Sequence, residues 1–305
     1  MTVPPSRRLA LAASALLAVA SACGDSSSGT PRTIGVLGAF PAELAAILDR
    51  TNVEETREVE GRIFRIGSIG RTRVVVGMTG VGLVNAQTTT RTLLDNFDVS
   101  GVVVSAVAGS PLRDADVTVP ETWVLDDGSR YRCHEPWLDV AKQVTAAGAI
   151  ALERCAIVPD VTPIPGVPPG TMVCFPYEPG VVVGGYGSSS DPFGGQAFQC
   201  LPTTDDVFAC DTALPGAFVP VSVGPEATAE LTVVGSDTQV AYDEETAAIA
   251  REVTASGLPF IAFRAASDGG PDPLNLTEFV EFFAYYRLAA HNAAAAAAAF
   301  IDRLP

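Results

Sequence analysis

Apolar runs separated by small-residue turns set the frame of this chain. Thr33–Leu37 (TIGVL) is followed by Gly38-Ala39-Phe40-Pro41, then by Ala42, Glu43, Leu44 and Leu48. The pattern predicts a strand, a turn and a helix, with proline just inside the helix start and an acid in its first turn. Arg62–Ile69 and Thr72–Met78 alternate or run apolar around Gly70-Arg71, which predicts a hairpin. Thr79-Gly80-Val81-Gly82 opens a predicted helix over Leu83–Phe97. Gly101–Val107 (GVVVSAV) has the all-apolar run of an interior parallel strand, and Ala108-Gly109-Ser110-Pro111 turns at its end. Val117–Leu125 predicts another strand.

From Asp126 to about Ala227 the pattern changes. This stretch holds Cys133, Cys155, Cys174, Cys200 and Cys210, most of the prolines, and the pairs Gly184-Gly185 and Gly194-Gly195. Pro136–Ala151 predicts a helix, but residues 160–219 show little periodicity and read as a loop-rich excursion held by disulfides where burial is short. Regular structure returns with a strand over Leu231–Val234, an amphipathic helix over Asp243–Ser256, a buried strand over Phe260–Ala266 and a terminal helix over Thr277–Leu304 with seven consecutive alanines. The order predicts an α/β fold, a three-layer α/β/α sandwich with a central mixed sheet, carrying a disulfide-bearing insertion at about 126–227.

Within this frame the stretch FIAFRAASDGG (Phe260–Gly270) runs a strand into a tight turn that presents Ser267 and Asp268. A carboxylate at the C-terminal end of such a strand sits where open α/β sheets place ligands. An Asp that caps a helix or fixes a turn is the plainer alternative. Glu43 has the same two readings, a functional acid or one favoured by the helix dipole. The Gly80/Gly82 turn between strand and helix can cradle an anion or a sugar edge, though glycines at this spacing are a weak signal.

The chain has 305 residues, 48% hydrophobic and 7% aromatic, ample for a single domain over 33–305. Arg7 and Arg8 precede an apolar run, Leu9–Ala22, that ends in Ala20-Ser21-Ala22 before Cys23, which predicts an export signal over residues 1–22 and a polar tether over 23–32. AVASACGDSSSG resembles a bacterial lipoprotein signal, which implies acylation of Cys23 and a membrane-anchored cell-envelope protein. Ala20 stands where Leu is more usual, so a secreted or periplasmic protein is the alternative. The formal net charge of -16 disfavours nucleic-acid partners. Five cysteines beside Cys23 allow two disulfides and one thiol. With no CxxC pair and only His134 and His291, no metal site is expected; in Cys133-His134 the cysteine reads better as a disulfide partner than as a ligand or nucleophile.

Taken together, IGVLGAFPAEL (Ile34–Leu44), MTGVGLVNAQTTTRTLL (Met78–Leu94), VVVSAVAGSPL (Val102–Leu112), DEETAAIA (Asp243–Ala250) and FRAASD (Phe263–Asp268) resemble segments of the nucleoside phosphorylase and nucleosidase superfamily. The branch they resemble most is that of the methylthioadenosine/S-adenosylhomocysteine nucleosidases. The resemblance covers about 33–125 and 231–304. It implies cleavage of the N-glycosidic bond of a purine nucleoside without a cofactor. In that reaction Asp268 matches the acid that protonates the departing base, Glu245 the acceptor that grips the ribose hydroxyls, and Glu43 the residue that activates water. Thr79, Gly80, Val107, Ala108, Gly109 and Ser267 match the lining of sugar and base; Arg264 has two readings, orienting a nearby carboxylate or serving as a structural ion-pair partner at a strand end.

The resemblance also marks departures. Glu244 stands where the family has Met beneath the ribose, and Thr238 and Gln239 stand where an aromatic would stack on the base. Ser105 stands where phosphorolytic relatives place a phosphate-binding Arg, which favours hydrolysis over phosphorolysis. Alternatives are a phosphorylase, or a nucleoside-binding or storage-type protein on the same fold. Relatives pair as dimers, so a homodimer is a further expectation.

Overall fold

Valine-rich runs build the centre of one large sheet. In the computed structural model, which describes residues 1–2, 32–158, 167–202, 207–211 and 226–304, the chain opens with β1 (Thr33–Gly38), α1 (Pro41–Leu48) and the meander β2 (Asn52–Val59), β3 (Arg62–Ile69), β4 (Thr72–Met78). There follow α2 (Leu83–Asn96), β5 (Val102–Gly109), β6 (Val117–Val119), β7 (Thr122–Leu125), β8 (Arg130–Arg132) and α3 (Glu135–Ala146). The short β9 (Ala151–Leu152), β10 (Cys155–Ile157) and β11 (Met172–Cys174) lead to β12 (Val181–Ser189). The chain ends with β13 (Ala227–Thr228), β14 (Leu231–Asp243), α4 (Thr246–Ala255), β15 (Phe260–Asp268) and α5 (Glu278–Arg303). Residues 3–31, which include Cys23 and most of the predicted signal and tether, lie outside the described residues.

The sheet runs β2-β3-β4-β1-β5-β15-β6-β12-β7-β8, with β14 joined to β12 and β5. Its core, β4-β1-β5-β15, is parallel, and the flanks add antiparallel pairs, so the sheet is mixed as expected. One consequence matters for function: Gly38, Gly109 and Asp268, the C-terminal ends of β1, β5 and β15, fall on the same edge. Helix α5 packs on β5, β15, α1 and α3, while α2 packs on α4, which closes the layers around the sheet. Residues Ala293–Ala297 of the alanine run are buried, so the smooth face that this run predicts is the one laid against the core.

The structure corrects four sequence readings. The excursion is not all loop: β12 lies inside it, with Val181 and Val183 fully buried in the sheet. Val117–Leu125 is two strands, split at Pro120, whose missing N–H interrupts the ladder; β6 and β7 pair with successive halves of β12. Strand β14 is thirteen residues long where four were expected, because its continuation after Val234 begins with the polar stretch GSDTQ (235–239), exposed or half-buried and without apolar alternation. Cys133 is not a disulfide partner. The bridges are Cys155–Cys174 and Cys200–Cys210, and the Cys133 thiol is buried, which pushes it up to about 12.

Candidate active site

The shared C-terminal edge of β1, β5 and β15 opens into a cavity of about 610 Å³. Each acid that lines it arrives by a short, definable path. Pro41 starts α1 two residues after β1, which places Glu43 in the first helical turn, 1% exposed. Glu43 accepts hydrogen bonds from the Ala39 and Val107 N–H groups, the second at 2.7 Å, and so bridges the ends of β1 and β5. Burial raises its carboxyl to about 7, against the opposing pull of Arg264.

Strand β14 delivers the next group. Asp243 ends the strand and accepts the Glu245 and Thr246 N–H groups at 3.1 Å each, which turns the chain into α4. Glu245 is thereby held at the helix start, where Oε1 accepts the Gly82 N–H at 2.8 Å. Arg264, from the middle of β15 and 1% exposed, lies among these acids. Its Nη2 is 2.9 Å from Asp243 Oδ2 and 3.3 Å from Glu245 Oε2, and its Nη1 is 3.9 Å from Glu43 Oε1. Nη1 also donates to the Val107 carbonyl at 2.6 Å, and Nε to Thr246 Oγ1 at 2.8 Å. One planar cation thus fixes three carboxylates and the end of β5.

Asp268 completes the set. Its Oδ1 lies 2.5 Å from Ser267 Oγ. Burial pushes the Asp268 carboxyl up to about 6; the Ser267 hydrogen bond opposes the rise, and Glu278 and Glu281 add to it. Glu244 lines the same cavity without a hydrogen-bond partner among the described residues, and burial followed by repulsion from Glu245 and Asp243 raises it to about 8. Val107, Ala108, Gly109 and Ser267 also line the cavity. A Cβ on Gly109 would stand 2.0 Å from the Tyr242 ring, so only glycine lets the aromatic close that wall.

Thr79 and Gly80 do not line the main cavity. Thr79 is buried with its hydroxyl 2.8 Å from the Gly80 carbonyl, and Gly80 faces a small neighbouring pocket of about 20 Å³. Several lining residues have no counterpart in the sequence reading. Phe193, Phe198 and Phe208 come from the excursion, and Tyr242, Glu278 and Phe282 from β14 and α5. For Phe193, Phe198 and Phe208 the advance signal was their aromatic character within a segment that lacks periodicity. The rings of Phe193 and Phe198 stand 5.1 Å apart and those of Phe198 and Phe208 5.7 Å apart, so the three form one apolar wall of the cavity.

Two other features carry no such chemistry. A larger cavity of about 710 Å³, lined by Arg32, Arg71, His134, Trp137 and Leu304 among others, has no carboxylate among the described residues lining it and lies at the N-terminal end of β1. Glu153, Glu226 and His291 bring ligand atoms within 4.8 Å of one another, but Arg50 Nη2 lies 3.1 Å from His291 Nε2, and a guanidinium there opposes a metal cation.

Comparison with known proteins adds a family. The chain is 36% identical over 187 residues to an uncharacterised protein of Mycobacterium tuberculosis, covering 58% of this chain and 75% of that one. It is 26% identical over 274 residues to the 5'-methylthioadenosine/S-adenosylhomocysteine nucleosidase of Shewanella denitrificans, covering 89% and 99%. Among solved structures it resembles the futalosine hydrolase of Helicobacter pylori, with a TM-score of 0.59 and 20% identity over 90% of this chain and 99% of that one. It resembles equally the methylthioadenosine/S-adenosylhomocysteine nucleosidase of the same organism, with a TM-score of 0.60, 20% identity and the same coverage. These structures share the fold, and the model of the phosphorylase superfamily matches residues 33–302, so the chain belongs to that superfamily.

Proposed function

We propose that this protein hydrolyses the N-glycosidic bond of a purine nucleoside, with Asp268 as the proton donor to the base and Glu43 as the acceptor of a proton from water. One observation carries the reading: two buried carboxyls with raised affinity for protons, Glu43 and Asp268, line one cavity at the end of the parallel strands. Departure of a purine requires a proton on the ring, and a carboxyl raised to about 6 can still hold one near neutral pH. The sugar then develops positive charge, which the acids at Glu43 and Glu245 oppose electrostatically. Glu245, fixed by Gly82 N–H and Arg264, is the acceptor for the ribose hydroxyls. Glu43, anchored by two backbone N–H groups, holds and deprotonates the water.

Water is favoured over phosphate because, among the described residues, Arg264 is the one cation lining the cavity, and it is occupied by Asp243 and Glu245. The named activities of the nucleosidase and futalosine hydrolase relatives support a hydrolytic reaction on a nucleoside. The unpartnered Glu244 and the aromatic wall from the excursion support a substrate that differs from methylthioadenosine in the part they contact. The test is release of free base from adenosine, inosine and methylthioadenosine, with and without phosphate. Phosphate-independent release is expected; release that requires phosphate would replace hydrolysis with phosphorolysis, and nucleoside binding without release would make this a binding protein. The export reading, lipid anchoring through Cys23, rests on the sequence AVASACGDSSSG; a Cys23→Ser variant that stays with the membrane fraction would refute it.

A further inference from the structure

Two buried acids outside the proposed chemistry meet behind Asp268. Asp114 lies between β5 and β6 and is fully buried, and Glu281 lies in the first turn of α5, 3% exposed. The Gly269 N–H donates to Glu281 Oε2 at 3.0 Å, and the Gly270 N–H donates to Asp114 Oδ1 at 3.2 Å. The two peptides that directly follow Asp268 are therefore each held by a carboxyl from a different element. The turn has little room to drift. Gly269 has φ +91°, and a Cβ on it would stand 2.3 Å from the Tyr242 hydroxyl; one on Gly270 would stand 2.5 Å from the Leu112 carbonyl.

The other oxygens of the pair, Asp114 Oδ2 and Glu281 Oε1, are buried and meet no donor while both groups are ionised. The titratable groups facing them are Asp268 at the end of β15, Asp272 from the connection between β15 and α5, Glu278 and Tyr285 from α5, Tyr242 from β14, and Tyr177 from the connection before β12. None of these is a cation, and the nearby Arg113 is paired with Asp116 at 2.9 Å. Burial, then the hydrogen bond to Glu281, push the Asp114 carboxyl up to about 9, so it keeps a proton and donates it to Glu281. That single proton satisfies both orphaned oxygens.

We propose that Asp114 and Glu281 are positioning residues for Asp268: a carboxylic acid and a carboxylate that share one proton, grip the Gly269 and Gly270 peptides, and fix the direction of the aspartate just before them. The proposal rests on Asp268 being the proton donor. A proton donor must lie along the line to its acceptor, and a displacement of about 1 Å can slow a reaction ~100-fold.

The test uses the whole protein and the variants Asp114→Ala, Asp114→Asn and Glu281→Gln, with kcat, KM and melting temperature measured from pH 5 to 9. The amide variants keep the acceptor for the glycine N–H and supply a donor without a titrating proton. Asp114→Ala is expected to lose about 10- to 100-fold in kcat with KM changed less than about threefold, while both amide variants stay within about threefold of the parent. A group with only a structural role would not give that split in folded protein. The folded parent holds the Asp114 proton to about pH 9 while the unfolded chain releases it near 3.8, so this group's contribution to stability falls as pH rises through that window. Asp114→Asn is expected to melt with a shallower dependence on pH than the parent. Melting needs no substrate, so a parent that cleaves nothing refutes the hydrolase reading while the pair is still judged by this comparison. Parent-like kcat in Asp114→Ala, or a parent-like pH slope in Asp114→Asn, overturns the proposal. Should Asp114→Ala fail to fold, the pH slope decides alone.

Discussion

The proton affinities of Glu43 and Asp268 predict an unusual pH–rate profile. Turnover needs Asp268 protonated and Glu43 ionised, yet burial puts Asp268 at about 6 and Glu43 at about 7, the acid below the base. The productive pairing is therefore a minority at every pH. It peaks near pH ~6.5, where about a quarter of each group is in the required form and about 6% of molecules have both. From that peak kcat/KM falls about twentyfold by roughly pH 8.5 and about twentyfold by roughly pH 4.5. The assay is initial-rate base release across pH 4–10 at substrate well below KM, in buffers of constant ionic strength. Glu43→Gln removes the group that must ionise, so its much lower residual rate is expected to stay level on the acid side, while the alkaline fall from Asp268 remains. A profile that is flat from pH 5 to 9, or a Glu43→Gln variant that keeps the acid limb, would refute these roles.

Further expectations follow from the same geometry. Arg264→Met leaves the buried acids Glu43, Asp243 and Glu245 without their cation and should lower unfolding stability at neutral pH by about 3–5 kcal/mol in urea titrations, less near pH 5; an unchanged midpoint would contradict the assigned ion pairs. Glu43 binds its proton at about 7 when folded against 4.5 when unfolded, so the folded state holds more protons between those values. Stability from this group should drop by about 3 kcal/mol as pH rises through that window, and Glu43→Gln should flatten the fall in thermal melts. The Cys200–Cys210 bridge closes the loop that carries Phe208 and begins just after Phe198. A Cys200→Ser/Cys210→Ser variant should raise KM about tenfold, equivalent to ~1.4 kcal/mol of loop ordering, with kcat held; an unchanged KM would remove this loop from the substrate's surroundings.

The parallel core was legible because its strands are buried on both faces and read as plain apolar runs: Val102–Val107 has no exposed residue. The site acids stood out through their neighbours: a proline before Glu43, an amphipathic helix expected to run through Glu245, and a strand end at Asp268. Strand β2 (NVEETREV) escaped because it is an edge strand whose residues are almost all exposed and polar, as edges that avoid further pairing tend to be. Strand β12 escaped because its VVV run sits among glycines and prolines, where burial by the rest of the sheet, not local pattern, makes it a strand. By sequence pattern Asp243 begins a helix; in the structure it ends β14 and holds the turn that brings Glu245 to Arg264, a role set by three-dimensional closure. The aromatic wall could not be placed for the same reason. Phe193, Phe198 and Phe208 reach the cavity through a loop whose path depends on a disulfide and on the Arg65–Asp211 ion pair, 2.6 Å long, far from them in sequence.

The central claim is that water, activated at Glu43, replaces the base that Asp268 protonates. Its most direct measurement is product analysis in ¹⁸O-labelled water without phosphate, using adenosine, inosine and methylthioadenosine beside an Asp268→Asn control. The account predicts free base together with a sugar that carries one labelled oxygen, and no product from the control. A sugar phosphate formed only when phosphate is added, or no cleavage of any of the three nucleosides by folded protein, would contradict it.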